Sequence, residues 1–269
     1  MADTFNPNEL VIEKVRAVEA YDPETRDLVG RYTQIEDPSL QLSADGTDVT
    51  DAMGAPITTF YNAQSGTFGF SNSLFSLDLA ASQFGTTKIV ATGDKKLTVP
   101  VSETITIGSD NTAVLKYTPV GAKGSEIKYV KVINADNTFG DTYVVTSGEL
   151  TTGKQFKLDA TTKKITLPAG TTGRIFVNYE RESSEAAIVT KTTNDIPQVQ
   201  SLLVHVIFRD PCNTNNVIAG VISCPRAQVD PSSIEINLTS DGKHAVSYLL
   251  RKEYCNEEGK LVDIIVSRD

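Results

Sequence analysis

The sequence predicts an all-β (mainly β) chain, a β-sandwich or barrel with one short flanking α-helix. Three observations predict it. Thr is abundant and often paired, as at Thr58-Thr59, Thr86-Thr87, Thr161-Thr162 and Thr171-Thr172, and β-branched side chains suit a pleated surface. Short apolar runs alternate with turn signals along nearly the whole chain. Only one segment repeats its apolar residues clearly at helical spacing. Hydrophobic residues make up 39% of the 269 and charged residues 22%, which is enough to bury a core and too apolar for wholesale disorder.

The elements follow in order. Asn8 to Glu19 is ambiguous: Val11, Val15 and Val18 fit a helix, whereas its β-branched content favours a strand over Leu10 to Val18. Arg31 to Ala55 is polar with few strand signals and reads as a long loop or arm. Ile57 to Tyr61 is a strand, and Gly66-Thr67-Phe68-Gly69 an aromatic-bearing turn. Leu74, Leu77, Ala81 and Phe84 place a helix over 73–84, with N-caps offered by Ser71 to Ser73 and Gly85 where a terminating glycine belongs. Strands follow over Lys88 to Thr92, Glu103 to Ile107, Thr112 to Tyr117, Glu126 to Ile133, Thr142 to Thr146, Gln155 to Leu158, Lys163 to Leu167 and Arg174 to Tyr179. After a polar stretch from Glu180 to Asn194 comes Leu202 to Phe208, whose continuous apolar run implies burial on both faces. The last strands are Val217 to Ile222, Ser233 to Leu238 with clean alternation, Ala245 to Arg251 and Leu261 to Val266. Turns include Asp45-Gly46, Gly93-Asp94, Gly153-Lys154, Asp241-Gly242 and Glu258-Gly259.

Two layouts fit this order. In one, residues 1–97 and 182–269 form a single β domain, interrupted by an immunoglobulin-like β module over 98–181. In the other, the chain is one continuous β domain.

Charge and composition narrow the function. The net charge is −9 and the Lys and Arg residues are scattered, whereas a nucleic-acid grip needs a basic patch to release counterions. Met1 to Phe5 has neither the charged nor the apolar region of a signal peptide, and no run approaches the ~20 apolar residues of a membrane span. We therefore expect synthesis in the cytosol and no membrane partner, with Cys212, Cys224 and Cys255 as thiols.

No residue combination carries catalysis. The two histidines, His205 and His244, form no ligand pair with nearby acids, and His205 sits within the expected buried strand as a packed or hydrogen-bonded core residue. Cys212 and Cys224 flank an expected hairpin from Asn213 to Ile222. They read as structural thiols, with a late disulfide or a metal site as alternatives, and the C-x-x-C pairs typical of zinc are missing. Asp45, Asp48 and Asp51, and later Asp136-Asn137, lack the ligand order of a calcium loop and read as solvated turns. Phosphate cradles of the G-x-x-x-x-G-K-[ST] and G-x-G-x-x-G types and the G-x-S-x-G elbow are missing too. We expect no catalytic, cofactor-binding or metal-binding residues, and no cofactor.

The last third carries a resemblance. Leu202-Leu203-Val204-His205-Val206-Ile207-Phe208-Arg209-Asp210 is followed by Gly220-Val221-Ile222-Ser223-Cys224-Pro225-Arg226-Ala227, then by Ser233 to Leu238 and two closing strands. This order resembles the tail tube (major tail) proteins of bacteriophages, as does the single upstream helix. The Thr-rich middle looks like the immunoglobulin-like modules common in phage structural proteins. The resemblance implies a virion protein of the tail. Its copies would form hexameric rings whose strands join edge to edge around a channel, and the rings would stack into a tube. Its partners would be itself and other tail proteins, and genome DNA would pass through without specific binding. In such proteins the N-terminal arm, the long loop and the C-terminal strand contact neighbouring subunits and rings. A net negative charge would keep DNA from sticking to the lumen. Rival readings are a head-decoration or other capsid-associated protein, and a host-surface-binding β module.

Overall fold

The structure is a computed structural model that describes residues 7–150, 153–212, 216–240, 242–253 and 259–267. The chain divides into two compact units, one formed by Met1–Lys88 with Val189–Asp269, the other by Ile89–Ile188.

The first unit opens with β1 (Val11–Tyr21), β2 (Leu28–Tyr32), β3 (Ile35–Thr50) and β4 (Pro56–Asn72). The N-terminal segment is a strand. Two β-bulges interrupt it, where the register slips between Ile12 and Lys14 and again between Val15 and Ala17. Each bulge inserts one residue, so Ile12, Val15 and Val18 all land opposite inward residues Phe208, Val206 and Val204 of a later strand. A strand with two bulges therefore shows a spacing of three. The segment read as a loop, Arg31 to Ala55, is instead mostly β3, and Gly66 to Gly69 lies inside β4 and not in a turn. The first reading failed because along its distal half β3 has neither face in the core, so the period-2 alternation that marks a strand has nothing to produce it; the second failed because its two glycines are held in the ladder by pairing with Leu250 and Ser247 of a later strand.

The helix α1 (Leu77–Phe84) starts later than the apolar spacing predicts. Ser76 is the N-cap, its side chain accepting from the Leu79 N–H at 3.3 Å, and Leu74 is 62% exposed. Gly85 ends the helix in the left-handed region at φ 73°. The Thr86 N–H returns to the Ala81 carbonyl at 3.0 Å. Eight residues are too few to hold a helix alone; burial of Leu79 through Gln83 holds it.

The second unit is wholly β. Its ends meet where β5 (Ile89–Val90) pairs with β13 (Ala187–Ile188). Between them lie β6 (Leu97–Thr106), β7 (Thr112–Val114), β8 (Tyr129–Ile133), β9 (Phe139–Val145), β10 (Gln155–Asp159), β11 (Lys164–Thr166) and β12 (Arg174–Ser183), paired in the order β6-β12-β8-β9-β10-β11-β7. All the pairings are antiparallel except β9 with β10. The sheet folds over a core of Leu115, Ile127, Val130, Phe156, Ile165, Ile175 and Val177. Tyr179 locks one end of it: its hydroxyl donates to Glu103 at 2.5 Å and accepts from the Tyr117 N–H at 3.1 Å. Burial and the Glu103 carboxylate push that phenol up to about 12.

The chain then completes the first unit with β14 (Val199–Arg209), β15 (Val217–Val229), β16 (His244–Leu250) and β17 (Asp263–Ser267). The sheet runs β2-β1-β14-β15-β16-β4-β3, and β17 also pairs with β15. It curls towards a barrel, with β3 also touching β1. β15 forks: residues 219–223 pair with β17 and residues 227–229 with β16. Pro225 sits between the two pairings and offers no N–H to either ladder.

Inside lie Leu202, Val204, Val206 and Phe208 of β14, Phe68 and Phe70 of β4, and Val246, Tyr248 and Leu250 of β16, with Leu79 of α1 among them. Each such side chain contributes about 1.5–3 kcal/mol by burial. β14 is buried on one face only, with Leu203, His205 and Ile207 half-buried on the other, so its continuous apolar run overstated its burial. Ser233 to Leu238, predicted as a strand, joins no ladder among the described residues. Ile234 packs on the core, and Leu238 is 91% exposed. Alternation supplied one face, but a strand also needs a hydrogen-bonding neighbour. No helix among the described residues is long and apolar enough to cross a membrane.

Candidate assembly surfaces

Three surfaces of the first unit stand out. The first is a ribbon. β3 and β4 pair from Ser43↔Ser65 to Thr50↔Pro56, beyond the point where β16 stops pairing with β4 at Gly66. At ~3.4 Å per residue this two-stranded arm extends about 25 Å. Such ribbons are marginal alone, and this one exposes Val49, Met53, Ile57, Phe60 (63%) and Tyr61 (73%). Its tip is well made: the Asp51 carboxylate accepts from the Met53 and Ala55 N–H groups, both at 2.8 Å. Asp48 accepts from the Thr59 hydroxyl at 2.6 Å. Asp45 lies in the ribbon as well. The acidic cluster read as a solvated turn is thus an acidic ribbon, and no Lys or Arg occurs from Tyr32 through Thr87.

The second surface is the outer face of β16, β4 and β3. Its rows are Ala245–Ser71–Glu36, Ser247–Gly69–Ser39 and Leu249–Thr67–Gln41, continued by Gln228 on β15 and by Ser43 facing Ser65, whose hydroxyls are 3.1 Å apart. The opposite face of the same strands holds Phe68, Phe70, Val246 and Tyr248 in the core. Among the described residues, charge sits only at the ends of this face. Glu36 and Asp37 pair with Lys243 at one end, and Arg251 reaches Gln228 at the other. Between them the surface is small, hydroxylated and uncharged.

The third is the outer face of β1, β14, β15 and β17. Row by row its residues are Val11–Arg209–Val217, Lys14–Ile207–Ala219 and Ala17–His205–Val221–Ile265, with Ala17 itself buried. His205 lies here, half exposed, and not in the core as its apolar strand implied. Its Nε2 is 3.1 Å from Glu19. Glu19 is the hub of a small network, accepting from the Tyr21 hydroxyl at 2.7 Å and pairing with Arg31 at 3.0 Å. The Tyr21 hydrogen bond and His205 hold its carboxyl below the usual range.

The other histidine is the buried one. His244 Nε2 lies 2.8 Å from the Gln83 side-chain oxygen, while the Gln83 amide donates to the Ala245 carbonyl at 2.7 Å. The Ser76 N–H reaches His244 Nδ1 at 3.5 Å, and Phe75 stacks on the ring with centroids 5.2 Å apart. This arrangement wants neutral imidazole with its proton on Nε2, because a second proton on Nδ1 would face the helix N-cap N–H. Burial lowers its pKa accordingly. The unfolded chain takes up that proton as pH falls through about 6.5, and the folded chain resists it. Stability is therefore full above that pH and declines below it, levelling off once the folded pKa is passed. We expect the melting temperature of the first unit to drop between pH 7.5 and 5.5, and His244→Gln to flatten the drop; equal slopes for both proteins would remove His244 from the explanation.

Cys224 is a buried free thiol, pushed up to about 11 by burial, and Cys212 is a free exposed thiol. Cys255 lies outside the described residues. Asp136 caps a turn by accepting from the Thr138 N–H and hydroxyl, with Asn137 at φ 65°. Between α1 and β14 lies a cavity of about 250 Å³ with a mixed polar and apolar lining. Two of its lining side chains, Ser82 and Gln200, are hydrogen-bonded to each other at 2.8–3.1 Å.

The sequence missed the second surface altogether, since Ser, Gly, Thr and Gln scattered over three strands become one face only through pairing. Comparison with known proteins adds one match. The model of the YomU/Tube protein family matches residues 10–260, nearly the whole chain. No curated protein matches it.

Proposed function

The chain belongs to the YomU/Tube protein family, the tube-type structural class that its sequence resembles, and from that membership we propose that it is a tail tube subunit of a phage virion. Copies join edge to edge into hexameric rings, and the rings stack into a tube through which genome DNA leaves. The chain performs no catalysis in this role. Its partners are further copies and other tail proteins.

The observation that carries this reading is the sheet β16-β4-β3. One face fills the core and the other is an uncharged, hydroxyl-rich surface that ends at an unpaired edge of β3. Open edges are a liability unless something pairs with them, and closing strands of successive copies into one barrel removes the edge. We assign the hydroxyl-rich face to the lumen. DNA slides past it because its middle rows carry no cation to hold a phosphate. The acidic balance adds a repulsive field around it. Met1–Lys88 and Val189–Asp269 hold 23 of the 34 acidic and 13 of the 25 basic residues, a balance of −10, whereas Ile89–Ile188 holds 11 and 12, a balance of +1.

The second unit we read as the immunoglobulin-like module. One of its faces exposes Tyr129 and Phe139, the latter edge-on to Phe176 at 5.6 Å. An aromatic face of this kind suits a host-surface contact.

Negative-stain electron microscopy at rising protein concentration tests the assembly. Rings of about six-fold symmetry or hollow tubes are expected. A monodisperse monomer or trimer at high concentration would overturn the tube reading in favour of a decoration or host-binding protein.

A further inference from the structure

We infer that the outer face of β6, β12, β8 and β9 in the second unit binds a negatively charged glycan. Tyr129, Phe139 and Phe176 are its sugar-stacking rings, and Lys131 and Arg174 the cations that hold its acid groups. The inference rests on reading this face as a host-surface contact and names the chemistry of what it meets.

The face follows from pairing. Ile175, Val177 and Val130 turn into the core, so their neighbours Arg174, Phe176, Asn178, Tyr129 and Lys131 turn outward. Cross-strand register then sets them in rows. Phe176 stands opposite Lys131, and Arg174 shares a row with Ile133 and, beyond it, Phe139. Asn178 and Tyr129 follow one residue past the Val177–Val130 pair. Each of the three rows thus holds one ring and one side chain with an N–H to donate. Thr106, Thr104 and Ser102 of β6 continue them with hydroxyls.

These groups are held in place before anything binds. Phe139 is 59% exposed and Tyr129 54%. Phe139 packs edge-on against Phe176 at 5.6 Å, with Lys131 Nζ 5.7 Å from its ring centroid. Arg174 donates to the Asn137 side-chain oxygen at 2.5 Å, and Asn178 to the Ser102 hydroxyl at 3.0 Å. A patch ordered in this way loses little side-chain freedom on binding.

Chemistry selects the occupant. The C–H groups of a pyranose, made slightly positive by the oxygens beside them, rest on the negative face of an aromatic ring. Its hydroxyls meet the amide and hydroxyl groups alongside. Charge complementarity then selects an acidic sugar. Arg174 bonds to a neutral amide and Lys131 lies over a ring, so neither is neutralised by a carboxylate among the described residues. The three rows hold no acid; Glu180 is the first on that face, one row beyond Asn178. Two cations are too few to grip a nucleic acid, and the second unit lacks the acidic excess with which the first repels polyanions.

Calorimetric titration of the intact chain at low salt tests this with four probes. They are alginate oligosaccharides charged by carboxylates, glucosylated teichoic acid charged by phosphates, neutral dextran, and polyphosphate without sugar. At least one of the two acidic glycans should bind, and which one does identifies the source of the charge. Dextran and polyphosphate should each bind at least about tenfold more weakly, since each offers only half of the match. Tyr129→Ser with Phe139→Ser should weaken glycan binding at least about tenfold. Lys131→Gln with Arg174→Gln should do the same at low salt and make no difference at high salt. Each variant is checked for the wild-type melting transition of the second unit, and the single changes Tyr129→Ser and Lys131→Gln replace a pair that fails it. Polyphosphate bound as tightly as the glycans would overturn the inference, as would glycan binding that survives the ring substitutions, or binding of neither acidic glycan. In that last case sedimentation decides what else falls. Self-association abolished by the ring substitutions would make this face a contact between copies and remove the host-surface reading too, whereas unchanged sedimentation leaves that reading standing.

Discussion

Gly85→Ala should destabilise the first unit by about 3 kcal/mol. Gly85 sits at φ 73° and ψ 31°, where an L residue costs roughly 1–2 kcal/mol. Space is the larger difficulty. A Cβ there would lie 2.2 Å from the Ile196 carbonyl oxygen and 2.4 Å from its carbon. Both are backbone atoms, so no rotamer relieves the clash, and overpacking of this kind adds about 1–3 kcal/mol. The segment leading into β14 must then move away from α1. That would disturb the Ser82–Gln200 hydrogen bonds and the contact of Gln83 with Ala245 beneath the hydroxyl-rich face. Urea unfolding would show a lower midpoint at unchanged slope. A loss under about 1 kcal/mol would mean that the Ile196 backbone yields easily, and that the helix cap does not fix this end of the sheet.

Phe156→Ala should act on the other unit alone. Phe156 is fully buried on β10, where the parallel pairing with β9 turns the sheet over its own core. Truncating a buried Phe costs about 3–5 kcal/mol, a large part of the ~5–15 kcal/mol that holds a domain together. Calorimetry should resolve two transitions, one lowered strongly by the substitution and one unmoved. If both fall together, the two units unfold as a single cooperative body. If rings still form at a temperature where the second unit has melted, ring contacts belong to the first unit, as the lumen assignment requires.

Much of this protein was legible in its residue order. The short strands of the second unit lie where the apolar runs place them, because Asp, Asn and Gly set their turns locally: Asp136 and Asp159 cap the turns that follow them. The helix was legible through its spacing and Gly85, although its start was not. The choice between Ser71, Ser73 and Ser76 as N-cap depends on where β4 lets go, and β4 runs to Asn72 because β16 pairs with it that far.

The same logic separates the assembly surfaces. Composition and period determined that the chain is β-rich, acidic and poor in reactive side chains, since these follow from residues one at a time or from near neighbours. Tertiary structure alone decided which β-rich stretches became strands. Ser233 to Leu238 has the better alternation yet no partner, whereas the polar Ile35–Thr50 has a partner and forms the longer strand. It also decided which of the two histidines is buried, and that the acidic excess falls in one unit and the three ribbon carboxylates on one arm. A strand is a relation between two segments far apart in the chain, and a face is a relation among several strands, so neither is written in any one stretch of sequence.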